Sequence, residues 1–383
     1  MTVATDTIVV GGSLARRFGR GGHAWVFLQY LLGFERLGYD VVFIDRLDGE
    51  TVVDETGVER AVLEHARWCY ESLAQCGLAD SFALRLDGGR TTMGLSEREL
   101  RDRARDALVI DVMGHLGDDP VIDRAGRRVF LDLDPGFTQL WDELGLSSLD
   151  RGYDAYVTVG TAMGQPGCQV PTLGLDWITT LPPVVLDQWP IGEGDPARIT
   201  TVGAWRGLNE PIEWAGRKYG LRAHAFRPFA TLPSAGTWQS ELALDIHPAD
   251  HADLALLRSG GWEILDPLVV TGTVDDYRHF VTRSGAELCV AKELYLALRT
   301  GWFSDRSACY LAAGRPVIAS DTGVNGMPIG EGLLTFDDLA GAIGAVHDVQ
   351  SDVARHRKAA RGIAEAHLDS DVVLTRLLRA VAP

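Results

Sequence analysis

The stretch from Asp6 to Asp45 constrains the fold more than any other part of the chain, because it alternates β-branched runs with a glycine-bounded helical pattern. Asp6-Thr-Ile-Val-Val-Gly-Gly reads as a buried strand that ends in a tight loop. A second glycine cluster, Gly19 to Gly22, leads into helical periodicity over His23 to Leu37, with apolar residues at Val26, Leu28, Leu31, Leu32 and Phe34. Gly38 stops that pattern, and Tyr39 to Asp45 is the next strand. Strand, helix, strand with such short connections is a βαβ unit, which commits the chain to a parallel sheet. The alternation continues with a helix expected over Val58–Gln75 and strands over Ala107–Asp111, Arg128–Asp132 and Ala155–Val159.

From Pro166 to Pro196 the pattern changes to prolines at 171, 182, 183, 190 and 196 with Trp177 and Trp189, the signature of an extended hinge. A second series then starts at Arg198–Gly203. Its further strands are expected at Pro267–Val270, Glu287–Val290, Pro316–Ala319 and Leu333–Phe336, and its helices at Asn209–Tyr219, Val274–Ser284 and Arg306–Ala313. Asp352–Ala382 supplies closing helices. The reading is an α/β chain with two Rossmann-like domains facing across a cleft, residues 1–185 and 186–383, in keeping with a length of 383 residues.

Net charge is −17, which repels phosphate backbones and anionic lipid, so no nucleic-acid partner is expected. No apolar run reaches the ~18–20 residues that span a bilayer, and Met1–Gly12 lacks the basic and apolar regions of a secretory signal, so the expected location is cytoplasmic. The cysteines, at 69, 76, 168, 289 and 309, form no CxxC pair, which argues against a disulfide framework or a zinc site. Nothing in the sequence fixes an oligomeric state.

Open parallel sheets bind ligands beyond the carboxyl ends of their strands. In the second half these ends carry Trp205 and Arg206, the strand with Glu287, then Lys292, and Asp321, Thr322 and Gly323. Ser304 and Asp305 are good residues to start a helix, so the amides that follow point at the cleft with partial positive charge. A diphosphate suits that position, with Arg306 and Lys292 as charge partners. These residues form the expected donor-binding set.

The run from Gly301-Trp-Phe-Ser-Asp-Arg to Ala-Ala-Gly314-Arg-Pro-Val-Ile-Ala-Ser320 resembles the carboxyl domain of GT-B glycosyltransferases, in which a helix ending in Ala-x-Gly-x-Pro-Val-x-Ala-Ser closes the nucleotide-sugar pocket. Gly332-Leu-Leu is similar to the next strand of that fold, and Gly21-Gly22-His23 followed by Gly38-Tyr-Asp-Val is similar to its opening pattern. The resemblance implies sugar transfer from a nucleotide-diphosphate co-substrate to a small-molecule or glycan acceptor, with no other cofactor; no metal is expected where the helix amides, Arg306 and Lys292 neutralise the leaving charge. Retaining families carry two glutamates on this motif; here Gly301 and Cys309 stand at those positions, and Asp305, one turn before Cys309, is the substitute expected to bind ribose.

For an inverting reaction His23 is the candidate base, with Asp111 as the carboxylate that orients it. A helix-start histidine that bonds locally is the alternative, and in a retaining enzyme Gly21 and Gly22 would let the backbone approach donor phosphate. Asp132-Leu-Asp134 matches a short acidic metal motif of another fold, but it leads into Pro135-Gly136, so Asp134 and Thr138 are read as acceptor-side groups. His247, Asp250 and His251 are read as a solvent-facing loop. Two rivals remain at this level: a nucleotide-sugar epimerase on the same scaffold, and an inactive GT-B-like partner protein.

Overall fold

The computed structural model describes residues 6–49, 51–53, 59–89, 91–117, 119–207 and 211–382. They form two large sheets. The first has eight strands in the order Trp177–Thr179, Ala155–Thr158, Arg127–Asp132, Leu108–Val112, Thr7–Gly11, Asp40–Leu47, Phe82–Leu86 and Thr91–Gly94. All its pairings are parallel except the last. The central strand is fully buried at Ile8, Val9 and Val10, as a continuous β-branched run covered on both faces should be. Gly11 lies level with Ile44 on one side and Asp111 on the other, and Asp132 lies level with Thr158, so these strands finish along one edge.

The second sheet is wholly parallel, in the order Glu263–Leu265, Gln239–Asp245, Arg198–Ala204, Ala286–Cys289, Val317–Ser320 and Leu333–Phe336. Two expected elements differ. Pro267–Val270 is a helical turn rather than a strand: Asp266 accepts from the Leu268 amide at 2.9 Å and Pro267 sits at the first helical position, a strong start signal. Its Leu268 and Val269 face outward, with Val269 71% exposed, and the strand that pairs with Arg198–Ala204 is Gln239–Asp245. The helix expected at Asn209–Tyr219 is a hairpin, Ile212–Trp214 with Arg217–Tyr219, because Ala215 and Gly216 both take positive φ (49° and 75°) and close a tight turn. Residues 208–210 and Val58 lie outside the described residues; the helix expected from Val58 runs from Val62 to Ala74.

The helix Gly21–Arg36 is the pivot of the molecule. It packs against Val274–Arg283 of the second half and against the closing helix Ser370–Ala380, which returns to the first half. Close approach is possible because a Cβ on Gly21 would lie 2.0 Å from the Thr273 carbonyl oxygen, and one on Gly22 2.6 Å from the Tyr277 ring. The Trp25 indole donates to the Val274 carbonyl at 3.0 Å and packs 4.9 Å from Trp189, which is itself fully buried. An indole of this kind hides ~150–250 Å², worth about 4–6 kcal/mol at 25 cal/mol per Å² before entropy is counted. The proline-rich connection is pinned at its centre: the Val184 amide donates to Leu368 at 2.7 Å, and the Val185 amide to the Gln29 side chain at 2.7 Å. Among the described residues no helix is long and apolar enough to cross a membrane.

Candidate functional site

Three cations gather at the carboxyl edge of the second sheet. Arg306 lies in the first turn of the helix Asp305–Ala312, whose cap is the Ser304 hydroxyl, accepting from the Arg306 amide at 3.2 Å. Its guanidinium pairs with the fully buried Glu287, donates to the Val202 carbonyl at 2.7 Å and reaches Cys289 Sγ at 3.2 Å. Burial alone would lower its pKa; the Glu287 carboxylate more than reverses that and holds it well above the ordinary value.

Arg222 lies beside it, against the end of the strand Arg198–Ala204: a Cβ on Gly203 would sit 2.2 Å from Arg222 Nη1. Arg222 makes no ion pair and no side-chain hydrogen bond among the described residues, and burial together with the like charge of Arg306 pushes its pKa down to about 10. Lys292 completes the group. Its Nζ stands 3.4 Å from Asp134, across from the first half, and 4.5 Å from the centre of the Phe137 ring. Tyr295 also donates to Asp134 and stacks on Trp302, 4.6 Å between centroids.

The opposite edge is organised differently. The His23 Nε2 is 2.9 Å from the Ser13 carbonyl, which can only accept, so Nε2 carries the proton and Nδ1 the lone pair. Burial, the largest effect, and the nearby Arg17, His115 and Arg20 charges lower its pKa to about 4, so the ring is neutral at physiological pH. Asp111 does not orient it. One Asp111 oxygen accepts from the Tyr153 hydroxyl at 2.6 Å and the other from the Leu116 amide at 3.0 Å, so its bonding capacity serves the loop that follows its own strand.

Several other expected contacts are also redirected. Trp205 is 2% exposed, packs edge-on to Phe226 and donates to Asp253 at 2.7 Å, so no indole face is left for a nucleotide. Arg206 is held by two 2.9 Å bonds to Asp250, which accounts for that member of the His247–His251 loop. Glu287, with no exposed surface, positions Arg306 rather than a ligand. Gly21 donates its amide to the Thr271 carbonyl at 3.0 Å and abuts the second half, as Gly22 does, so neither glycine presents backbone to a phosphate in this arrangement.

Thr138 is buried and donates to Asp132 at 2.8 Å, a bond that fixes the loop rather than an acceptor. Asp305 and Cys309 do share one face, but it is turned toward the first half. Asp305 lines a small cavity with Gln29, Tyr30, Pro182 and Pro183, and Cys309 is within 3.8 Å of Gln29 Nε2. Asp321 pairs with Arg299 at 3.0 Å and accepts from the Gly323 amide, while Thr322 donates to the Trp302 carbonyl at 2.6 Å.

No family model and no curated protein matches the sequence. Solved structures do match it over nearly the whole chain. HepE of Anabaena, in complex with UDP and glucose, is similar at 10% identity and a TM-score of 0.58, covering 98% of this chain and 99% of its own. An alpha-glucosyltransferase in complex with UDP and a 13-mer DNA is similar at 13% identity and a TM-score of 0.59, covering 99% of each chain. AviGT4, a glycosyltransferase of avilamycin A biosynthesis, is similar at 11% identity and a TM-score of 0.55, covering 98% of this chain and 97% of its own. The chain has the GT-B fold.

Within this GT-B cleft the residue that sequence reading passed over is Arg222. It follows a segment read as helix, and once the hairpin at 212–219 is recognised, Gly220-Leu-Arg222 becomes the start of a new helix, Arg222–Phe226, at the cleft. The Arg20–Asp245 pair, which joins the first edge to the second, was equally invisible because 225 residues separate its partners.

Proposed function

We propose that this protein is a glycosyltransferase that moves a sugar from a nucleoside-diphosphate donor to a small-molecule or glycan acceptor. The observation that carries the reading is Arg222, a guanidinium without a carboxylate partner among the described residues, set beside Arg306 at the edge where GT-B folds open. Two adjacent like charges, one of them unpaired, are unfavourable until a dianion arrives between them. UDP accompanies HepE and the alpha-glucosyltransferase in their structures and is the first donor nucleotide to test.

In this reading the acceptor hydroxyl attacks the anomeric carbon as the bond to the diphosphate breaks. Arg222, Arg306 and Lys292 stabilise the charge that develops on the leaving group, so the reaction needs neither metal nor further cofactor. His23 takes the acceptor proton at Nδ1, with the ring oriented by the Ser13 carbonyl. Residues 1–185 present the acceptor and residues 186–383 hold the donor, with the helix Ser370–Ala380 packed back on the acceptor side. The protein works in the cytoplasm. Its charge of −17 favours compact acceptors over nucleic acid.

A panel of UDP, dTDP, GDP and ADP in a thermal unfolding assay tests the donor half of this reading. A ligand bound only by the native state stabilises by RT ln(1 + [L]/Kd), about 2.7 kcal/mol at a hundredfold excess over Kd. At least one diphosphate is expected to raise the midpoint, and its nucleoside to do so far less. No response to any of the four would contradict the reading.

A further inference from the structure

His65 is a buried histidine that no step of the proposed reaction uses. It lies in the helix Val62–Ala74 with no exposed surface. Its Nδ1 is 2.9 Å from the Ala15 carbonyl, which can only accept, so Nδ1 carries the proton. Its Nε2 is buried with no hydrogen-bond partner among the described residues. A leucine would fill this apolar place and leave no such atom unsatisfied, so the imidazole is unfavourable here except for the bond at Nδ1. That bond goes to the loop between the strand Thr7–Gly11 and the helix Gly21–Arg36.

The same loop supplies the Ser13 carbonyl that bonds His23. Asp45, from the strand Asp40–Leu47, accepts from the Ala15 amide at 2.6 Å, so the amide and the carbonyl of Ala15 are both bound by side chains. The other Asp45 oxygen accepts from the Arg46 amide at 2.6 Å, which fixes the carboxylate. On one side of this clamp Gly12 donates to the Ile44 carbonyl at 3.0 Å and is pressed against Phe27, where a Cβ would lie 2.2 Å from the ring. Phe27 packs edge-on to His23, 5.2 Å between centroids. On the other side Phe18 packs 5.5 Å from His65 and 6.1 Å from Trp68. Leu14 and Ala15, between these points, are fully buried. Trp68 donates to the Gly272 carbonyl at 3.1 Å, so the helix that carries His65 is itself anchored to the second half.

We infer that His65 is a positioning residue: its bond to Ala15, together with that of Asp45, holds the loop where the Ser13 carbonyl aligns the His23 ring. The bearing on turnover rests on the reading of His23 as the base, while the placement of the ring rests on the clamp. The sign of the effect follows from what acts on His23. Burial lowers its pKa most and the Ser13 bond raises it less. A loop that swings away relieves the larger effect, so the pKa climbs from about 4 toward 6.5. The charged and titratable groups that face the ring are Arg17 and Arg20 of this loop and His115 of the loop after Leu108–Val112. All three lower the pKa as well, so a looser loop moves it the same way. Asp118 lies outside the described residues.

The test follows the ring proton resonance of His23, assigned through His23→Gln, between about pH 5.5 and 8. A ring with its midpoint near 4 holds one neutral shift across this range, and the wild type is expected to do so. In His65→Leu, which keeps the apolar bulk and loses the N–H, the resonance should titrate within it. His65→Asn, which carries an N–H where Nδ1 stood, should restore the flat line. Should His65→Leu not fold, His65→Gln takes its place, because its N–H falls where Nε2 stood and misses Ala15. A flat line in folded His65→Leu or His65→Gln, or equal titration in His65→Asn, overturns the inference. The readout needs no substrate, which separates the two readings. Titration in His65→Leu with turnover intact in His23→Ala removes the base and leaves the positioning. Turnover lost in His23→Ala with a flat line in His65→Leu removes the positioning and leaves the base.

Discussion

The two sheet edges that face each other across the cleft have opposite polar economies. On the first edge the strand-end carboxylates are buried and occupied with their own loops. Asp45 has its pKa raised to about 7 by burial, Asp111 to about 6, and Asp132 is raised as well, although Gln139, Thr138 and Thr158 all donate to it. On the second edge the buried Asp245 is taken by Arg20 of the first half, and the buried Glu287 is outnumbered by Arg306 and Arg222. The difference shows that an acid at a strand end is not by that fact a ligand group. What decides is how many bonds the fold already draws from it. The first edge uses its acids to hold its own loops in place, and the second keeps positive charge in reserve.

The sharpest break of this contrast is at His23. If the rigid first edge positions a base, His23→Ala lowers turnover by ~10²–10⁴-fold. The acid limb of the wild-type rate should then have its midpoint near 4 instead of the ordinary histidine value of 6.5, because the buried ring must be neutral to accept a proton. A loss below about threefold returns His23 to a purely local bond with Ser13. Next in size is Glu287→Gln, which leaves Arg306 buried without its carboxylate. Breaking a buried pair from one side costs about 3–5 kcal/mol, to be read from chemical unfolding. A change under about 1 kcal/mol would show that the second edge does not depend on this pair. Smaller again is Gly21→Ala, where the new methyl meets the Thr273 carbonyl. Overpacking of this kind costs about 1–3 kcal/mol, and a neutral result would mean that the halves are not held together at this point.

Much of the fold was legible because its signals are local. The β-branched run Ile8–Val10, the stop at Gly38 and the motif ending at Gly314–Ser320 each specify their own conformation. The misreadings were local too: Asp266-Pro267 is a helix start that an apolar Leu-Val-Val run disguises, and Ala215-Gly216 is a hairpin turn inside a stretch with helical spacing. The site was less legible, for a different reason. Arg306 and Lys292 could be placed at the cleft from strand order alone. That Asp111 faces Tyr153, that Trp205 faces Phe226 and that Arg222 joins Arg306 depend on contacts between distant segments, which spacing along the chain does not encode.

The central claim is that the second edge holds a nucleoside diphosphate through its uncompensated guanidinium. Calorimetric titration of wild-type protein and of Arg222→Gln with UDP and with uridine tests it most directly. Loss of one charge-assisted contact costs ~1.5–3 kcal/mol, so UDP affinity should fall roughly tenfold to a hundredfold while uridine binding and the melting temperature hold. UDP affinity unchanged in a folded Arg222→Gln protein, with wild type binding UDP, would contradict it.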